Sequence, residues 1–432
     1  MVGKGSTTEA ATYPRGFARD TDWKWPMVPA RKIVALNYGR ALKADTRSPG
    51  KVPVFGTNGQ CGWHDAPLAK APGLILGRKG QGPLGVKWCD KDFWVIDTAY
   101  YASTLTPDLE LKYLYHLVKY VGLNHLKDGT SNPTLSRDTF GAQLFPLPPL
   151  AEQKSIAAVL GSLDDKIELN RQMNATLEAM ARALFQSWFV DFDPVRAKLD
   201  GIKPVGLDKV TAALFPSSFQ DSEIGHIPKA WSIKPVGEAV DCVGGGTPST
   251  AKPKYWDGGT HHWTTPKDFS SLQAPILLDT DRKLTAAGIA KISSGLLPVG
   301  TLLLSSRAPV GYLAIAAMPV AINQGFIALK CNERASNFFM LNWCQTNMAE
   351  IESRATGTTF AEISKQNFRP IKVVLPPKEL MAAFTVKVEP IYAKIAANLH
   401  QSRTLATLRD TLLPKLLSGG LSVVEDEKEG CV

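Results

Sequence analysis

The stretch KDGTSNPTLSRDTFGAQLFPLPP (127–149) is answered later in the chain by RATGTTFAEISKQNFRPIKVVLPP (354–377), and this pairing decides how the rest of the sequence reads. Gly129 and Gly357 stand 228 residues apart. The same interval relates Thr130 to Thr358, Ser136 to Ser364, Phe140 to Phe368, Leu147 to Leu375 and Pro148–Pro149 to Pro376–Pro377. It runs on without a gap through Lys166 and Lys394, Asn170 and Asn398, Leu177 and Leu405, and Leu184 and Leu412. Self-similarity at one long interval is the mark of a duplicated architecture. Upstream the match is looser: Arg78 falls opposite Arg307, Gly85 opposite Gly311, and DTAYYAST opposite NQGFIALK.

Each copy therefore has a variable first part and a regular second part. The variable parts read as mixed α/β. Gly73–Leu76, Phe93–Ile96, Thr301–Leu304 and Phe326–Leu329 are short apolar runs bounded by turn residues, as strands are. LELKYLYHLVKYV and ASNFFMLNWCQTNMAEI have helical spacing.

Between Pro149 and Pro194 only Gly161 interrupts, which leaves room for a helix of about 40 residues, ~60 Å at the usual rise. Its apolar residues alternate four and three apart: Ile156, Leu160, Leu163, Ile167, then Leu177, Ala181, Leu184 and Trp188. That is a coiled-coil period. Asn170 and Asn174 take the two middle steps. The second copy repeats the design through Phe384, Val388, Ile391, Ile395, Asn398, Ser402, Leu405, Arg409, Leu412 and Leu416. Paired antiparallel, the helices bring both polar layers together at the centre, where buried Asn sets register at some cost in stability. The competing arrangement is two helices packed separately on their own domains. Pro390 is expected to start or kink the second helix. The apolar run ALFQSWFV exceeds what one partner helix needs and marks a further contact through Phe185, Trp188 and Phe189, either domain packing or another subunit.

Composition bounds the rest. The 432 residues suggest two or three domains, and 44% hydrophobic residues exclude wholesale disorder. The net charge is +9. Residues 1–150 hold 19 Lys and Arg against 12 Asp and Glu, a local excess of 7, whereas the tail EDEKEG is acidic. The longest apolar stretch, around Tyr312–Ile322, is far short of a bilayer span. The N-terminus is polar, unlike a secretory signal. Six scattered cysteines without a CxxC pair suit a reduced, cytoplasmic chain and no zinc site.

Catalytic signatures are missing. There is no GxxxxGK[ST] loop, no FxGxG, and no Asn-Pro-Pro-aromatic tetrapeptide; Asn132-Pro133-Thr134 is the nearest approach. Gly244–Pro248 reads as a tight turn rather than a phosphate cradle, and His261-His262 as surface imidazoles. Polyanion binding is better supported. Loops that mix basic, amide and hydroxyl side chains with glycine offer Thr57, Asn58, Gln60, Arg78, Lys79, Lys127, Asn132 and Arg137 in the first copy. The second offers Thr265, Lys267, Arg307, Gln324, Thr358, Thr359 and Lys365. Arg and Lys suit guanine, Asn and Gln suit adenine, and hydroxyls suit bases or phosphate. For any one of these residues an ordinary turn role competes.

Across nearly the whole chain from about Trp23, the sequence resembles the specificity (S) subunits of type I restriction-modification systems. The residues that carry this are LPPLAEQKSIAAVLGSLDDKIELNRQ, ALFQSWFVDFDP, LFPSSFQDSEIGHIPKAW and RDTLLPKLLSGGL, with GTNGQCGW, GRKGQGPLG and FWVIDTAYY in the first half. In the second half they are GGGTPST, KYWDGGTHHWTTPKDF, SSRAPVG and INQGF. The resemblance implies two target recognition domains joined by long helices in an antiparallel coiled coil with pseudo-two-fold symmetry. Each domain would read one half of a bipartite double-stranded DNA target. The chain itself would be non-catalytic and bind no cofactor. Two methyltransferase (M) subunits, held in part through Phe185, Trp188 and Phe189, would supply S-adenosylmethionine-dependent adenine methylation, and restriction (R) subunits the ATP- and Mg-dependent steps.

The implied organisation is an extension at 1–22, a recognition domain at 23–149, a helical spacer at 150–193 and a linker at 194–230. A second recognition domain at 231–377, a second spacer at 378–418 and an acidic tail at 419–432 follow. The second conserved region reads LPPKELMAAF, without the Glu-Gln of the first, and has no counterpart of WFVDFDP, so its M-subunit contact is expected to differ. Two-fold symmetry predicts half-sites about one turn apart, ~34–36 Å. A self-contained methyltransferase or nuclease with recognition domains, and a DNA-free coiled-coil scaffold, remain open readings at this level.

Overall fold

The computed structural model describes residues 24–357 and 361–423. They divide into two compact units: 24–167 with 403–423, and 168–402.

In the first unit a four-stranded antiparallel sheet has the order Val34–Tyr38, Ala99–Thr104, Gly73–Gly77, Val86–Cys89. Gly73–Gly77 is buried along its whole length, as an inner strand covered on both faces must be. A three-stranded sheet sets Val52–Gly56 between Gly59–His64 (antiparallel) and Trp94–Val95 (parallel). Helix Leu111–Val121 buries every residue from Tyr113 to Val118 and also Val121, so it is covered nearly all round. Gly122 ends it at φ 73°, a conformation costly for any residue with a Cβ.

The second unit repeats this plan by itself. Asp241–Gly244, Phe326–Lys330, Leu302–Ser306 and Val310–Ala316 follow the same strand order, with Ile276–Leu277 added in parallel at the edge. His261–Thr264 lies between Arg282–Leu284 (antiparallel) and Val320–Ile322 (parallel). Asn337–Thr346 is the counterpart helix, capped by the Ser336 hydroxyl. Every apolar run expected as a strand is at least partly one, and both expected helices form.

Two details show that the copies share backbone geometry as well as strand order. A Cβ on Gly39 would sit 2.1 Å from the Ile96 carbonyl oxygen, and one on Gly245 2.0 Å from that of Ile322. Only glycine fits either contact. Gly245 therefore faces carbonyl oxygens, the wrong polarity for a phosphate cradle. A second close approach is filled by exchanged partners: Gly141 packs on Arg31 in one unit, and Gly237 packs on Arg369 in the other.

The long helices are Leu150–Phe189, 40 residues, and Lys378–Ser418, 41 residues. They pair antiparallel. Ile156 and Leu160 share a core with Leu413, Leu416 and Leu417; Asp164 meets Arg409; Asn174 meets Asn398; and Phe185 meets Phe384. Rising numbers on one helix thus meet falling numbers on the other. Of the seam residues, Ile156, Leu160, Val388 and Ile395 are fully buried, while Leu163, Ile167, Leu177, Leu184, Ile391, Leu405 and Leu412 are half-buried. Leu413, Leu417 and Tyr392, outside the expected seam, are buried as well. At the centre Asn170 donates to Gln401 Oε1 at 2.9 Å and Ser402 Oγ at 3.2 Å, and Asn398 to Asn174 Oδ1 at 2.8 Å. This is a satisfied polar layer, the form in which buried amides specify register.

Two expectations are corrected. The second helix neither starts nor breaks at Pro390, nor at Pro414. Pro390 lies on the exposed side, where water can take the orphaned carbonyl of exposed Val386, and the packed opposite face keeps the helix continuous. Phe185, Trp188 and Phe189, expected to face an M subunit, are 1%, 2% and 6% exposed. Phe384, Phe339 and Phe215 surround them edge-on and Trp231 tilted, with ring centres 4.9–6.2 Å apart. Phe215 lies within the expected linker and Trp231 just after it; that segment itself carries helices Asp193–Leu199 and Lys209–Ala213 and a small hairpin. The surplus apolar surface is consumed within the chain.

Candidate nucleic-acid interface

In the first unit, loops distant in sequence are tied into one surface. Thr57 Oγ1 donates to the Lys79 and Thr98 carbonyls at 2.8 and 3.1 Å. Lys127 Nζ donates to the Gly80 and Gly82 carbonyls at 3.2 and 3.0 Å. Gln81 donates to the carbonyls of Thr130 and Ser131, and the Gly80 amide to that of Pro133. The candidate residues thus converge, but they split by role. Thr57, Lys79 and Lys127 build the loops; Lys79 also pairs with Asp97 at 2.8 Å. Arg78 donates to the Asp97 carbonyl at 3.0 Å and lies over the Tyr38 and Tyr100 rings. Asn58, Gln60, Asn132 and Arg137 remain exposed.

Tyr38, absent from the sequence-level candidates, organises this surface. It is 47% exposed, with the Arg78 guanidinium 4.8 Å and that of Arg137 4.7 Å from its ring centre. Burial and the nearby Tyr38 push the Tyr100 hydroxyl above its ordinary range; it donates to the Leu135 carbonyl at 3.0 Å.

The second unit joins its own five loops. Asn323 N–H donates to the Thr264 carbonyl, Ser306 N–H to that of Gly325, Ile363 N–H to that of Ser306, and Gly246 N–H to that of Ile322. Thr247 Oγ1 donates to Gln324 Oε1 at 2.6 Å. Thr265 is a structural cap: its amide and hydroxyl both donate to Asp268 Oδ2, at 2.7 and 3.0 Å. Arg307 lies 3.6 Å from the Glu362 carboxylate. Lys267, Gln324 and Lys365 are exposed. Thr358 and Thr359 lie outside the described residues.

Backbone bonds shift the upstream alignment by one. Leu135 N–H donates to the Arg78 carbonyl just as Ile363 N–H donates to that of Ser306. Arg78 therefore corresponds to Ser306, and Lys79 to Arg307. Likewise Arg78 N–H meets Thr98 where Ser306 N–H meets Gly325, so Asp97 corresponds to Gln324. Side-chain similarity had favoured Arg opposite Arg, but hydrogen-bonded register is the stricter criterion.

A second aromatic support also escaped the sequence. The Arg282 guanidinium lies 3.6 Å from the Trp256 ring centre and 5.3 Å from that of Trp263. The indole N–H of Trp256 holds the Ser249 carbonyl and that of Trp263 the Gly246 carbonyl, each at 3.1 Å. No motif flags such a group, because Arg282 and Trp256 meet only when their strands and loops pack. His262, expected at the surface, is half-buried beside Asp279 at 3.2 Å; burial lowers its pKa although Asp279 opposes this. Among the described residues no three His, Cys, Asp or Glu side chains gather as a metal site requires, and no helix is long and apolar enough to cross a membrane.

Comparison with known proteins bears on both units. The sequence profile of the type I restriction modification DNA specificity domain matches residues 24–179 and again 228–383. The specificity subunit of the type I restriction enzyme HindI from Haemophilus influenzae is 27% identical over 328 residues, covering 66% of this chain and 71% of that protein. The MjaIX specificity subunit from Methanocaldococcus jannaschii is 34% identical over 173 residues, covering 39% of this chain and 40% of that one. The crystal structure of a type I restriction-modification S subunit from M. genitalium shares the fold, with a TM-score of 0.60 at 17% identity over 94% of this chain and 99% of that one. With one profile match on each copy of the repeat, and the two together spanning most of its length, the chain belongs to the family of type I restriction-modification DNA specificity domains.

Proposed function

We propose that this chain is the DNA sequence-specificity subunit of a type I restriction-modification complex, and that it is non-catalytic. Each unit reads one half of a bipartite double-stranded target through its converging loops. The observation that carries this is the coincidence of each family match with one such loop cluster. Arginine and amide side chains on rigid loops suit base edges, and exposed lysines suit phosphates.

In this reading two methyltransferase subunits supply S-adenosylmethionine chemistry, restriction subunits use ATP and Mg, and the assembly works in the cytoplasm. The long helices anchor the methyltransferase subunits by their outward faces, not by the buried aromatic cluster. Leu169 and Met180, three turns apart, are 50% and 54% exposed there. The recognition domains are assigned to 23–149 and 231–377, and the spacers to 150–193 and 378–418.

The test mixes purified chain, its methyltransferase subunits, DNA and labelled S-adenosylmethionine. Methyl transfer to a bipartite site is expected only with all components. Transfer by the chain alone would mean a self-contained enzyme, and transfer indifferent to the chain would leave a scaffold.

A further inference from the structure

We infer that Arg137 and Arg282 are the guanine-reading arginines of the two units, each held over an aromatic ring and each serving a different half of the target. The inference rests on the DNA-recognition reading above and goes further by assigning the base contact.

The argument begins with what the arginines do within the chain. Arg78 commits an Nη1–H to the Asp97 carbonyl and buries its Nε, and Arg307 faces Glu362. Arg137 and Arg282 are exposed and, among the described residues, neither bonds a carboxylate or a carbonyl. Each instead lies against a ring: Arg137 is 4.7 Å from Tyr38, and Arg282 3.6 Å from Trp256. Stacking occupies the planar face of a guanidinium and leaves its N–H fork free. That fork matches O6 and N7 of guanine in the major groove. Both supports belong to the loop surfaces. Tyr38 also carries Arg78, while Trp256 and Trp263, edge-on at 5.0 Å, hold the Gly246–Ser249 loop whose Thr247 bonds Gln324.

The two positions are not equivalent in the repeat. Arg137 corresponds to Lys365, whose ammonium lies against Gly244 where the first unit has Tyr38. A lysine over glycine has neither the fork nor the ring. The second unit places its stacked arginine on the neighbouring sheet, at Arg282 opposite Trp263. One fold thereby presents the same chemical reader at two different places in its two units.

The test uses the full chain assembled with its methyltransferase subunits, acting on a library of randomised DNA whose methylated sites are sequenced. Arg137→Lys and Arg282→Lys keep the charge and remove the fork. Each is expected to reduce discrimination for guanine ~10- to 100-fold at one position of one half-site, leaving the other half-site unchanged. Trp256→Leu should reproduce the Arg282→Lys pattern more weakly. Unchanged base preferences in both lysine variants overturn the inference. So does a uniform loss across all sites with Arg137→Ala and Arg282→Ala, accompanied by a salt slope reduced by ~0.9, which identifies phosphate contacts. If the unaltered complex selects no site at all, the DNA-recognition reading fails instead.

Discussion

Asn398 donates its side-chain amide to Asn174 Oδ1 at 2.8 Å, and each residue is only 2% exposed. A buried amide that loses its partner keeps its desolvation cost, whereas removing both partners together removes the obligation. Asn174→Leu or Asn398→Leu should each destabilise the chain by ~1–3 kcal/mol in urea unfolding. The double variant should recover much of the loss. Additive losses would show that the pair does not couple.

His116 is sealed in the first unit, 1% exposed, with its Nδ1 3.9 Å from Asp164. Burial lowers its pKa to about 4, although Asp164 pulls the other way. The unfolded chain therefore binds a proton near pH 6.5 that the folded chain refuses until about pH 4. Stability should fall as pH drops through that window, with a slope of up to ~1.4 kcal/mol per pH unit. His116→Leu should flatten that slope; an unchanged pH profile would show that His116 is not the group responsible.

Glu178 behaves oppositely. Burial raises its carboxyl to about 7, with Arg182 opposing, beside a cleft of about 580 Å³ lined by Phe269, Tyr312 and Met348. Folding favours the protonated form, so stability drains as pH rises from about 4.5 to about 7. Glu178→Gln should raise the melting temperature at pH 8 but not at pH 4. A gain at both would point to a cause other than ionisation.

Arg78 and Arg137 share the Tyr38 ring but should fail differently. Arg78→Met removes a hydrogen bond to the Asp97 carbonyl and part of two ring contacts, at a cost of ~1–2 kcal/mol. Arg137→Met should leave thermal stability within ~0.5 kcal/mol, as exposed sites usually do. Calorimetry that ranks them the other way would reverse these roles.

Lys267 and Lys365 are exposed, and among the described residues neither has an acidic partner. If they meet phosphate, each Lys→Ala change should lower the slope of log affinity against log salt by ~0.9 without altering the preferred sequence. A changed preference would move that lysine to the bases.

The duplication, the strand runs and the long helices were legible in the residues, because period and punctuation are local properties that backbone geometry imposes directly. The asparagine layer was legible for the same reason: Asn170, Asn174 and Asn398 interrupt an otherwise apolar seam, and the fold pairs them. Pro390 misled because its cost falls on an exposed side where solvent and packing offset it. Phe185, Trp188 and Phe189 misled because an apolar surplus does not say whether its cover comes from the same chain. Here Phe215, Trp231, Phe339 and Phe384 supply it.

By itself, then, the sequence determined a two-copy mixed α/β chain with paired helices and basic, glycine-rich loops. Only the tertiary structure decided which loop residues face outward, because that depends on contacts between positions tens of residues apart. Thr57, Lys79 and Lys127 look like ligands in isolation and are spent on neighbouring carbonyls and on Asp97. Arg282 looks like nothing until Trp256 packs beneath it. Local propensity sets which elements form; long-range packing sets which polar groups remain unsatisfied, and those are the groups free to read a ligand.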